Sequence, residues 1–291
     1  MEFKKIELTD KPVFDKYYKK YPQHSEYLSF TTLFTWQAYV KFMYVVLDGH
    51  IVIKFENYKN KKVYILIPET DSSVLKELIP RLDREGYKSF SNLTKKQTED
   101  IEMLFPGQYT FSHKRDSDNY IYLSEKMASL SGKKLHSKKN FVNRFKKENE
   151  YSYEKITGAN IPECLEVLNA WCEKKECSGE SVSAESCACT LAIKNMEALS
   201  LKGGAIRVNG KIVAFTLGER VADDMAVIHF EKADYNYKGA FQTIFMEFVK
   251  NEWMDVTFIN REEDTGDEGL RKAKLSYCPE YLLEMYDGSK I

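Results

Sequence analysis

The chain has 291 residues, of which 43% are hydrophobic and 30% are charged, and its formal net charge is −1. This composition excludes collagen, low-complexity sequence and wholesale disorder, and the length favours two domains because a domain usually has ~100–200 residues. A net charge near zero provides no general attraction to nucleic acid or to anionic membranes, so any such attraction must come from a local patch.

The sequence contains no signal for a metal site or for export. The six cysteines form no C-x-x-C pair and no histidine lies near them, so we predict no zinc site. Residues 1–5 lack an apolar leader, and no segment approaches the ~18 continuous apolar residues of a membrane helix. We therefore expect a cytoplasmic protein and leave peripheral attachment to a membrane open.

The first 130 residues alternate between predicted strands and helices. Residues 48–49, Asp-Gly, separate two apolar runs and tolerate positive φ, which predicts a hairpin. Apolar residues at helical spacing predict helices over 72–85 and 94–105. Phe111 and residues 120–123 are predicted to form a strand pair around a polar segment.

A basic segment follows, in which seven cations and no acidic residue lie between Ser131 and Lys147. Its apolar residues are spaced for one face of a helix. The cations either form the solvated face of a helical linker over 131–150, or they bind an anion such as tRNA, a phosphorylated cofactor or a lipid head group. The candidate anion patch consists of Lys133, Lys134, Lys138, Lys139 and Arg144.

From residue 151 the order of the predicted elements is informative. A strand and two helices precede three antiparallel strands, which are joined by turns at Asn209-Gly210 and Asp223-Asp224. A helix, a strand, a short helix and a last strand over 281–286 follow. This is the element order of the GNAT acyltransferase fold, an α+β fold with a mixed, mostly antiparallel sheet flanked by helices. Because many functions share a fold, the order does not by itself establish an activity.

Several motifs are similar to those of one family. They are Gly204 to Gly218, His229 to Asp234, Gly239 to Gln242, Asn260 to Gly266 and Gly269 to Pro279, with Leu130 to Asn140 upstream. Together they resemble the phosphatidylglycerol lysyltransferase C-terminal domain family. The resemblance implies two tandem GNAT-like domains, at 1–130 and 151–291, related to the Fem-type transferases that take amino acids from aminoacyl-tRNA. Lysyltransferases proper carry a multi-span membrane flippase ahead of this domain, which we do not find in this sequence, so the resemblance implies the transferase class and leaves the acceptor open.

A GNAT domain parts two parallel strands so that the first can bind the acyl donor, and the next helix offers its N–H groups to a pyrophosphate. Here these features map to the strand Met225–Phe230 and to Gly239. Acetyl-CoA enzymes usually carry Q/R-x-x-G-x-G/A at this turn, whereas residues 236–241 keep one glycine and lack the leading Gln or Arg. Acetyl-CoA is thus disfavoured but stays open as a co-substrate, since Gly239 with Lys238 can still hold phosphate. Gln242, in the first turn of the helix, contacts either a ligand or solvent.

Charged residues at the end of this strand are candidates for catalysis. Glu231, with Lys232 beside it, can take a proton from an attacking amine. Alternatively, these charges form a structural salt bridge with Arg271 and Lys274. His229 lies on the same strand face as Glu231, and it either shares a polar cavity with Glu231 or is a satisfied core residue.

A second charged run, residues 260–264, follows the next strand, where open α/β sheets bind ligands. Arg261 can form a bidentate ion pair with a carboxylate or a phosphate. Tyr277 either reprotonates the leaving group, as a tyrosine does in many acetyltransferases, or packs its ring and bonds its hydroxyl. The predicted binding set also includes Asp234, Asn260, Glu262, Asp264, Arg271 and Lys274.

Three functions follow from these features. The first is an acyl or aminoacyl transferase that takes its group from a donor such as aminoacyl-tRNA, with a lipid, peptide or small amine as acceptor. The second is an N-acetyltransferase that uses acetyl-CoA. The third is a non-catalytic protein that binds RNA or another ligand on this fold.

Overall fold

The computed structural model describes residues 1–57, 61–174 and 180–291. The strands are β1 (Lys4–Lys5), β2 (Met43–Leu47), β3 (His50–Glu56), β4 (Val63–Leu66), β5 (Ser89–Thr94), β6 (Tyr109–His113), β7 (Asn119–Leu123), β8 (Tyr151–Lys155), β9 (Lys202–Val208), β10 (Lys211–Ala222), β11 (Met225–Ala233), β12 (Phe258–Asn260), β13 (Tyr281–Leu283) and β14 (Met285–Lys290). The helices are α1 (Lys11–Lys20), α2 (Phe30–Thr35), α3 (Gln37–Val40), α4 (Ser72–Arg84), α5 (Lys95–Leu104), α6 (Ser124–Ser129), α7 (His136–Glu148), α8 (Ile161–Lys174), α9 (Glu180–Lys194), α10 (Met196–Leu199), α11 (Ala240–Glu252) and α12 (Glu268–Leu275). Short 3₁₀ helices lie at Leu8–Asp10, Glu26–Leu28, Arg115–Ser117 and Lys133–Leu135.

The first sheet has the strand order β1-β2-β3-β4-β5-β14-β6. The predicted hairpin joins β2 and β3, and both of its turn residues, Asp48 and Gly49, have positive φ. The strand β4 pairs in parallel with β5, and the helix α4 connects them. The apolar stripe that predicted α4 is buried in the core of this unit, together with Ile65 and Phe90.

The second sheet has the strand order β13-β7-β12-β11-β10-β9-β8. The hairpin between β9 and β10 turns at Asn209 and Gly210, which have φ values of 48° and 79°. The strand β11 pairs in parallel with β12, and α11 connects them. The apolar face of α11 is buried, including Ile244, Phe245 and Phe248.

The two sheets repeat one order of elements. In each, a strand and helices precede three antiparallel strands, which a helix connects to a strand parallel to the third. The predicted fold class is therefore confirmed: an α+β protein with two tandem GNAT-like units, each a mixed, mostly antiparallel sheet flanked by helices. In the part of the chain that the structure describes, no helix combines the length and the apolar character needed to cross a membrane.

The units exchange strands in a way that local patterns did not predict. The predicted strand pair of Phe111 with 120–123 is wrong, because β7 pairs with β12 in the second sheet. The predicted last strand over 281–286 is two strands, and the second of them, β14, lies between β5 and β6 in the first sheet. Alternation and β-propensity show that a segment is a strand, but its partner depends on which core buries it.

The compact units accordingly follow strand pairing rather than chain order. One unit contains 1–119, 263–267 and 282–291, and the other contains 120–262 and 268–281. The domain limits predicted from the sequence, at residues 130 and 151, differ from the boundaries of these two units. The basic helix α7, which was expected in a linker, is part of the second unit.

Candidate active site

The strands β11 and β12 are paired only at their beginnings. Their parallel register runs from Met225↔Phe258 to Val227↔Asn260, where β12 ends, whereas β11 continues to Ala233. From Ile228 onward, the edge of β11 that faces β12 is therefore not paired with it. The parting of strands expected for a GNAT domain is present here, and several of the predicted site residues surround it.

Asn260 shapes the chain as it leaves β12. Its side chain is fully buried, and its Oδ1 accepts a hydrogen bond of 2.7 Å from the backbone N–H of Glu262. Such a bond to a residue two positions ahead is a local turn that Asn forms readily. Glu262 has a φ of 59°, in the left-handed region. The turn directs Arg261 and Glu262, which are neighbours in sequence, to different partners on β11.

Arg261 pairs with Glu231. Its Nη2 donates to the two carboxylate oxygens of Glu231 at 3.1 and 3.2 Å, and the two side chains are only 14% and 13% exposed. The guanidinium also stacks on Phe245, 3.9 Å from the ring centroid, and lies 4.9 Å from the centroid of Tyr277. Burial raises the pKa of Glu231, and attraction to Arg261 offsets this only in part. A carboxylate with a raised pKa is a stronger base than an exposed one.

Tyr277 belongs to the same cluster, in which it contacts Arg261 and Phe245. The residue is 4% exposed, and its ring packs edge-on against Phe245 and Tyr122. Burial raises the pKa of Tyr277 to about 12, although attraction to Arg261 opposes the rise. Its hydroxyl is therefore protonated near neutral pH. The geometry fits ring packing, and it also leaves Tyr277 able to donate a proton beside Glu231.

His229 is held between two carboxylates. Its Nδ1 lies 2.8 Å from Glu262 Oε1 and its Nε2 lies 2.9 Å from Glu219 Oε1, and the imidazole is 3% exposed. Burial lowers the pKa of His229, but the two glutamates outweigh that effect and raise it to about 9. Because both ring nitrogens are engaged, the arrangement supports a positioning role for a charged imidazolium that holds β10, β11 and the turn after β12 together.

Lys274 supports the turn from α12. Its Nζ donates to the carbonyl oxygen of Arg261 at 2.6 Å, and its own carbonyl accepts from the Tyr122 hydroxyl at 2.8 Å. Arg271, one turn earlier on α12, is partly buried. The predicted salt bridge between Glu231 and this helix is not the one observed, since Glu231 pairs with Arg261 instead.

Three other residues of the predicted binding set have structural partners elsewhere. Lys232 points to the opposite face of the sheet from Glu231, where it pairs with Glu185 and lies 4.0 Å above the Trp171 ring. Asp234 accepts from the backbone of Asn236 in the loop before α11. The fully buried Asp264 belongs to the first unit, in which it pairs with Arg115 at 3.2 Å.

Gly239 immediately precedes α11, at a place where another helix lies close. A Cβ added there would come within 2.4 Å of the Phe141 carbonyl oxygen of α7, and the residue has a φ of 93°. The basic helix thus covers the turn at which an acetyl-CoA enzyme binds pyrophosphate. Gln242, in the first turn of α11, is partly exposed.

The candidate anion patch divides into two groups. Lys133, Lys134 and Lys139 are exposed, and Arg144 pairs with Glu148 along the helix. Lys138 instead turns inward and is partly buried, with its ammonium 4.6 Å from the centroid of the Tyr277 ring.

Sequence reasoning missed Glu219 and Tyr122. Glu219 follows an apolar run of β10, and a buried acid in such a strand is a signal for a partner, but the sequence does not reveal that the partner is His229. Tyr122 reaches the cluster only because β7 pairs in the second sheet.

Residues 18–287 match the family model described as phosphatidylglycerol lysyltransferase, C-terminal, so the chain belongs to this family and the resemblance is confirmed. A conserved protein of unknown function from Bacteroides thetaiotaomicron VPI-5482 is 35% identical, with a TM-score of 0.91 and complete coverage of both chains. L-PGS from Bacillus licheniformis shares the fold at 15% identity, with a TM-score of 0.67 and coverage of 99% of this chain and 93% of that chain. FemX does so at 10% identity, with a TM-score of 0.60 and coverage of 100% and 98%.

An uncharacterized protein from Mycoplasmoides gallisepticum (strain R(low / passage 15 / clone 2)) is 29% identical over 177 residues, which are 58% of this chain. The chain spans about half the length of this curated relative, since the match covers 55% of it. The family model thus gives the family, and the solved structures show that the fold is shared.

The ion pairs of His229 with Glu219 and Glu262 predict that the stability of the fold depends on pH. The pKa of His229 is about 9 in the folded protein, compared with 6.5 for an unperturbed histidine. The ion pairs therefore stabilise the fold fully below pH 6.5, and this stabilisation is lost as the pH rises through 9. We expect His229→Gln to lower the free energy of unfolding by on the order of 3 kcal/mol at pH 6, and by clearly less at pH 10. Urea denaturation across this range measures the difference between variant and wild type.

The exposed His136 provides the control, because His136→Gln removes an imidazole that no carboxylate holds among the described residues. If the loss in free energy of unfolding caused by His229→Gln stays constant from pH 6 to pH 10, a charged His229 between the two glutamates is contradicted.

The contact between α7 and α11 predicts an unusual cost for Gly239→Ala. Positive φ alone costs about 1 kcal/mol, and a backbone clash adds about 1–3 kcal/mol. Gly210→Ala is the matched control, because Gly210 has a φ of 79° and nothing lies within 4 Å of an added Cβ. Urea denaturation should show a clearly larger loss for Gly239→Ala, and equal losses would show that α7 does not confine this turn.

Proposed function

We propose that the second unit transfers an activated acyl or aminoacyl group, with aminoacyl-tRNA as the donor, to an amine or hydroxyl acceptor. The observation that supports this most directly is the buried cluster of Glu231, Arg261 and Tyr277 where β11 and β12 part. It combines a base of raised pKa with a protonated hydroxyl. The family description, a lysyltransferase of phosphatidylglycerol, and the fold shared with FemX are consistent with this class of reaction.

Each residue of the cluster has a chemical role in the proposed reaction. Glu231 takes the proton from the attacking amine or hydroxyl, whose nitrogen or oxygen bonds to the carbonyl carbon of the donor ester. The bond between that carbon and the donor oxygen breaks, and Tyr277 donates its proton to the departing oxygen. The proton on Glu231 then restores the tyrosine, so the enzyme ends as it began. Arg261 pairs with the Glu231 carboxylate and opposes the rise in its pKa that burial causes.

A coenzyme A donor is less well supported than an ester donor. The N-terminal turn of α11, which would bind pyrophosphate, lies against the Phe141 carbonyl of α7. A carbonyl oxygen is an acceptor, and its partial negative charge opposes an anion at that place. We therefore place the acyl donor at the parted strands rather than at this turn.

Replacement of Glu231 tests the base. We expect Glu231→Gln to lower the rate of transfer by about 10²–10⁴-fold, because the amide cannot accept the proton. The assay incubates the purified protein with charged tRNAs and with anionic liposomes, peptides or small amines, and measures labelled product. The exposed Glu166→Gln is the control of equal charge change and should retain the wild-type rate.

Transfer from acetyl-CoA but from no charged tRNA would reject the proposed donor. Absence of transfer from every donor, with wild-type binding of RNA, would favour a non-catalytic protein instead.

Tyr277→Phe separates the two roles considered for the tyrosine. The substitution keeps the ring that packs on Phe245 and removes only the hydroxyl. If Tyr277 donates the proton, we expect the transfer rate to fall by about tenfold or more while the melting temperature changes little. An unchanged rate would leave ring packing as the role of this residue.

A further inference from the structure

Thr216 carries a buried hydroxyl in the apolar run of β10. The residue is 0% exposed, and over residues 1–57, 61–174 and 180–291 its Oγ1 has no hydrogen-bond partner. A hydroxyl that is removed from water without a partner is unfavourable, and valine would fill nearly the same volume without that penalty. A buried polar group of this kind is therefore a candidate for a role in function.

The strand register places Thr216 next to Glu231. In β10, Thr216 pairs with Glu231 of β11 on one side and with Gly204 of β9 on the other. Residues directly opposite each other in an antiparallel pair point to the same face of the sheet, with Cβ atoms ~4.5–5.5 Å apart. The hydroxyl of Thr216 and the carboxylate of Glu231 are therefore neighbours on the face that α11 covers.

Two aromatic side chains enclose Thr216 on the side of β9. A Cβ added to Gly204 would lie 2.5 Å from the Tyr153 hydroxyl and 2.9 Å from the Phe248 ring, so these side chains occupy the space above the glycine. The Tyr153 hydroxyl donates to Glu252 at 3.4 Å. On this side, Thr216 thus faces two rings, one of which directs its hydroxyl to a different partner.

Glu231, on the other side, can accept a further hydrogen bond. An ionised carboxylate has about four acceptor positions, and Nη2 of Arg261 donates to its two oxygens at 3.1 and 3.2 Å. The Oγ1 and Cγ2 atoms of threonine are similar in size, so rotation about χ1 can turn the hydroxyl toward the carboxylate without a change in packed volume.

We propose that the Thr216 hydroxyl donates a hydrogen bond to the ionised Glu231 carboxylate and fixes the direction in which that carboxylate accepts a proton. This inference rests on the proposed function, in which Glu231 is the base. Thr216 is then a positioning residue, because it acts through Glu231 and does not touch the substrate. Arg261 supplies the charge that Glu231 needs, and Thr216 supplies a neutral donor from the neighbouring strand.

The pKa of Glu231 reports this hydrogen bond. Burial raises that pKa, the charges of Arg261, Lys232 and Lys274 lower it, and the protonated Tyr277 lies in the same cluster. A hydrogen bond to the ionised form lowers it further, so loss of the hydroxyl should raise it. We expect a rise of about one pH unit, which corresponds to a tenfold smaller ionised fraction below the pKa.

Titration of Glu231 by NMR measures the effect without any turnover. Protein labelled with ¹³C at the glutamate Cδ atoms is titrated, and Glu231→Gln identifies the signal of Glu231 by its absence. We expect the pKa of Glu231 in Thr216→Val to lie about one pH unit above that of the wild type. In Thr216→Ser it should lie within about 0.3 pH units of the wild type, because serine keeps the hydroxyl.

Thr31→Val is the matched control. Thr31 belongs to the first unit, is also 0% exposed, and its Oγ1 likewise has no hydrogen-bond partner among the described residues. The substitution removes a hydroxyl of the same kind, and the pKa of Glu231 should not change. Circular dichroism checks that each variant folds, and Thr216→Ala replaces Thr216→Val in the titration if the valine variant does not fold.

The pH profile of the transfer reaction gives a second readout. One pH unit below the wild-type pKa of Glu231, kcat/KM of Thr216→Val should be about tenfold lower than that of the wild type. The difference should disappear at a pH above both pKa values, where Glu231 is ionised in both proteins. A purely structural role for Thr216 would lower kcat/KM by a similar factor at every pH.

A raised pKa in Thr216→Val that Thr216→Ser restores supports the proposal. An unchanged pKa in Thr216→Val, or an equal rise in the valine and serine variants, overturns it. A pKa that depends on Thr216, without transfer from any donor, would keep the hydrogen bond and reject the proposed reaction. Transfer that depends on Glu231, with an unchanged pKa in Thr216→Val, would reject the role of Thr216 and keep the reaction.

Discussion

The second unit depends on the pairing of three glutamates with two cations around the place where β11 and β12 part. Glu219, Glu231 and Glu262 have side chains that are 11%, 13% and 25% exposed. An ionised carboxylate in such surroundings costs several kcal/mol unless a cation and hydrogen bonds compensate it. His229 compensates two of the three, and Arg261 compensates the other. The two cations therefore offset part of the cost of placing these three carboxylates in a poorly hydrated part of the second unit.

The turn after β12 joins these two ion pairs. Arg261 and Glu262 are consecutive residues, and the Asn260 side chain with the left-handed backbone of Glu262 sends them to different partners. A displacement of Glu262 from His229 therefore moves the backbone that carries Arg261. In the proposed reaction, His229 would therefore act by positioning Arg261 and, through it, Glu231, without touching the substrate. Lys274 restrains the same backbone through the Arg261 carbonyl.

Helix α7 has two effects on the second unit. Its backbone at Phe141 lies against Gly239 and covers the turn at which a GNAT enzyme binds pyrophosphate. One turn earlier, the Lys138 side chain reaches Tyr277. A segment expected in a linker thus brings a cation beside Tyr277 and also packs against the turn at Gly239. Both effects follow from the packing of α7 on α11 and not from the net charge of the segment.

The sequence by itself determined the elements and the fold class. The hairpins at 48–49 and 209–210, the apolar stripe of α4 and the order of elements after residue 151 are local or periodic features, and the structure confirms them. Their causes act over a few residues, namely positive φ in tight turns and burial of one helical face. Motif resemblance likewise identified the family.

Only the tertiary structure decided which strands pair and which charges meet. The exchange of β7 and β14 between the sheets joins residues that are far apart in sequence, so no local pattern signals it. No local pattern signals the partners of His229 or the contact of Lys138 with the Tyr277 ring either. The same is true of the ion pairs that Lys232 and Asp264 form outside the site. The charge of a residue can be read from its type, whereas its partner depends on burial and distance, which exist only once the sheets have formed.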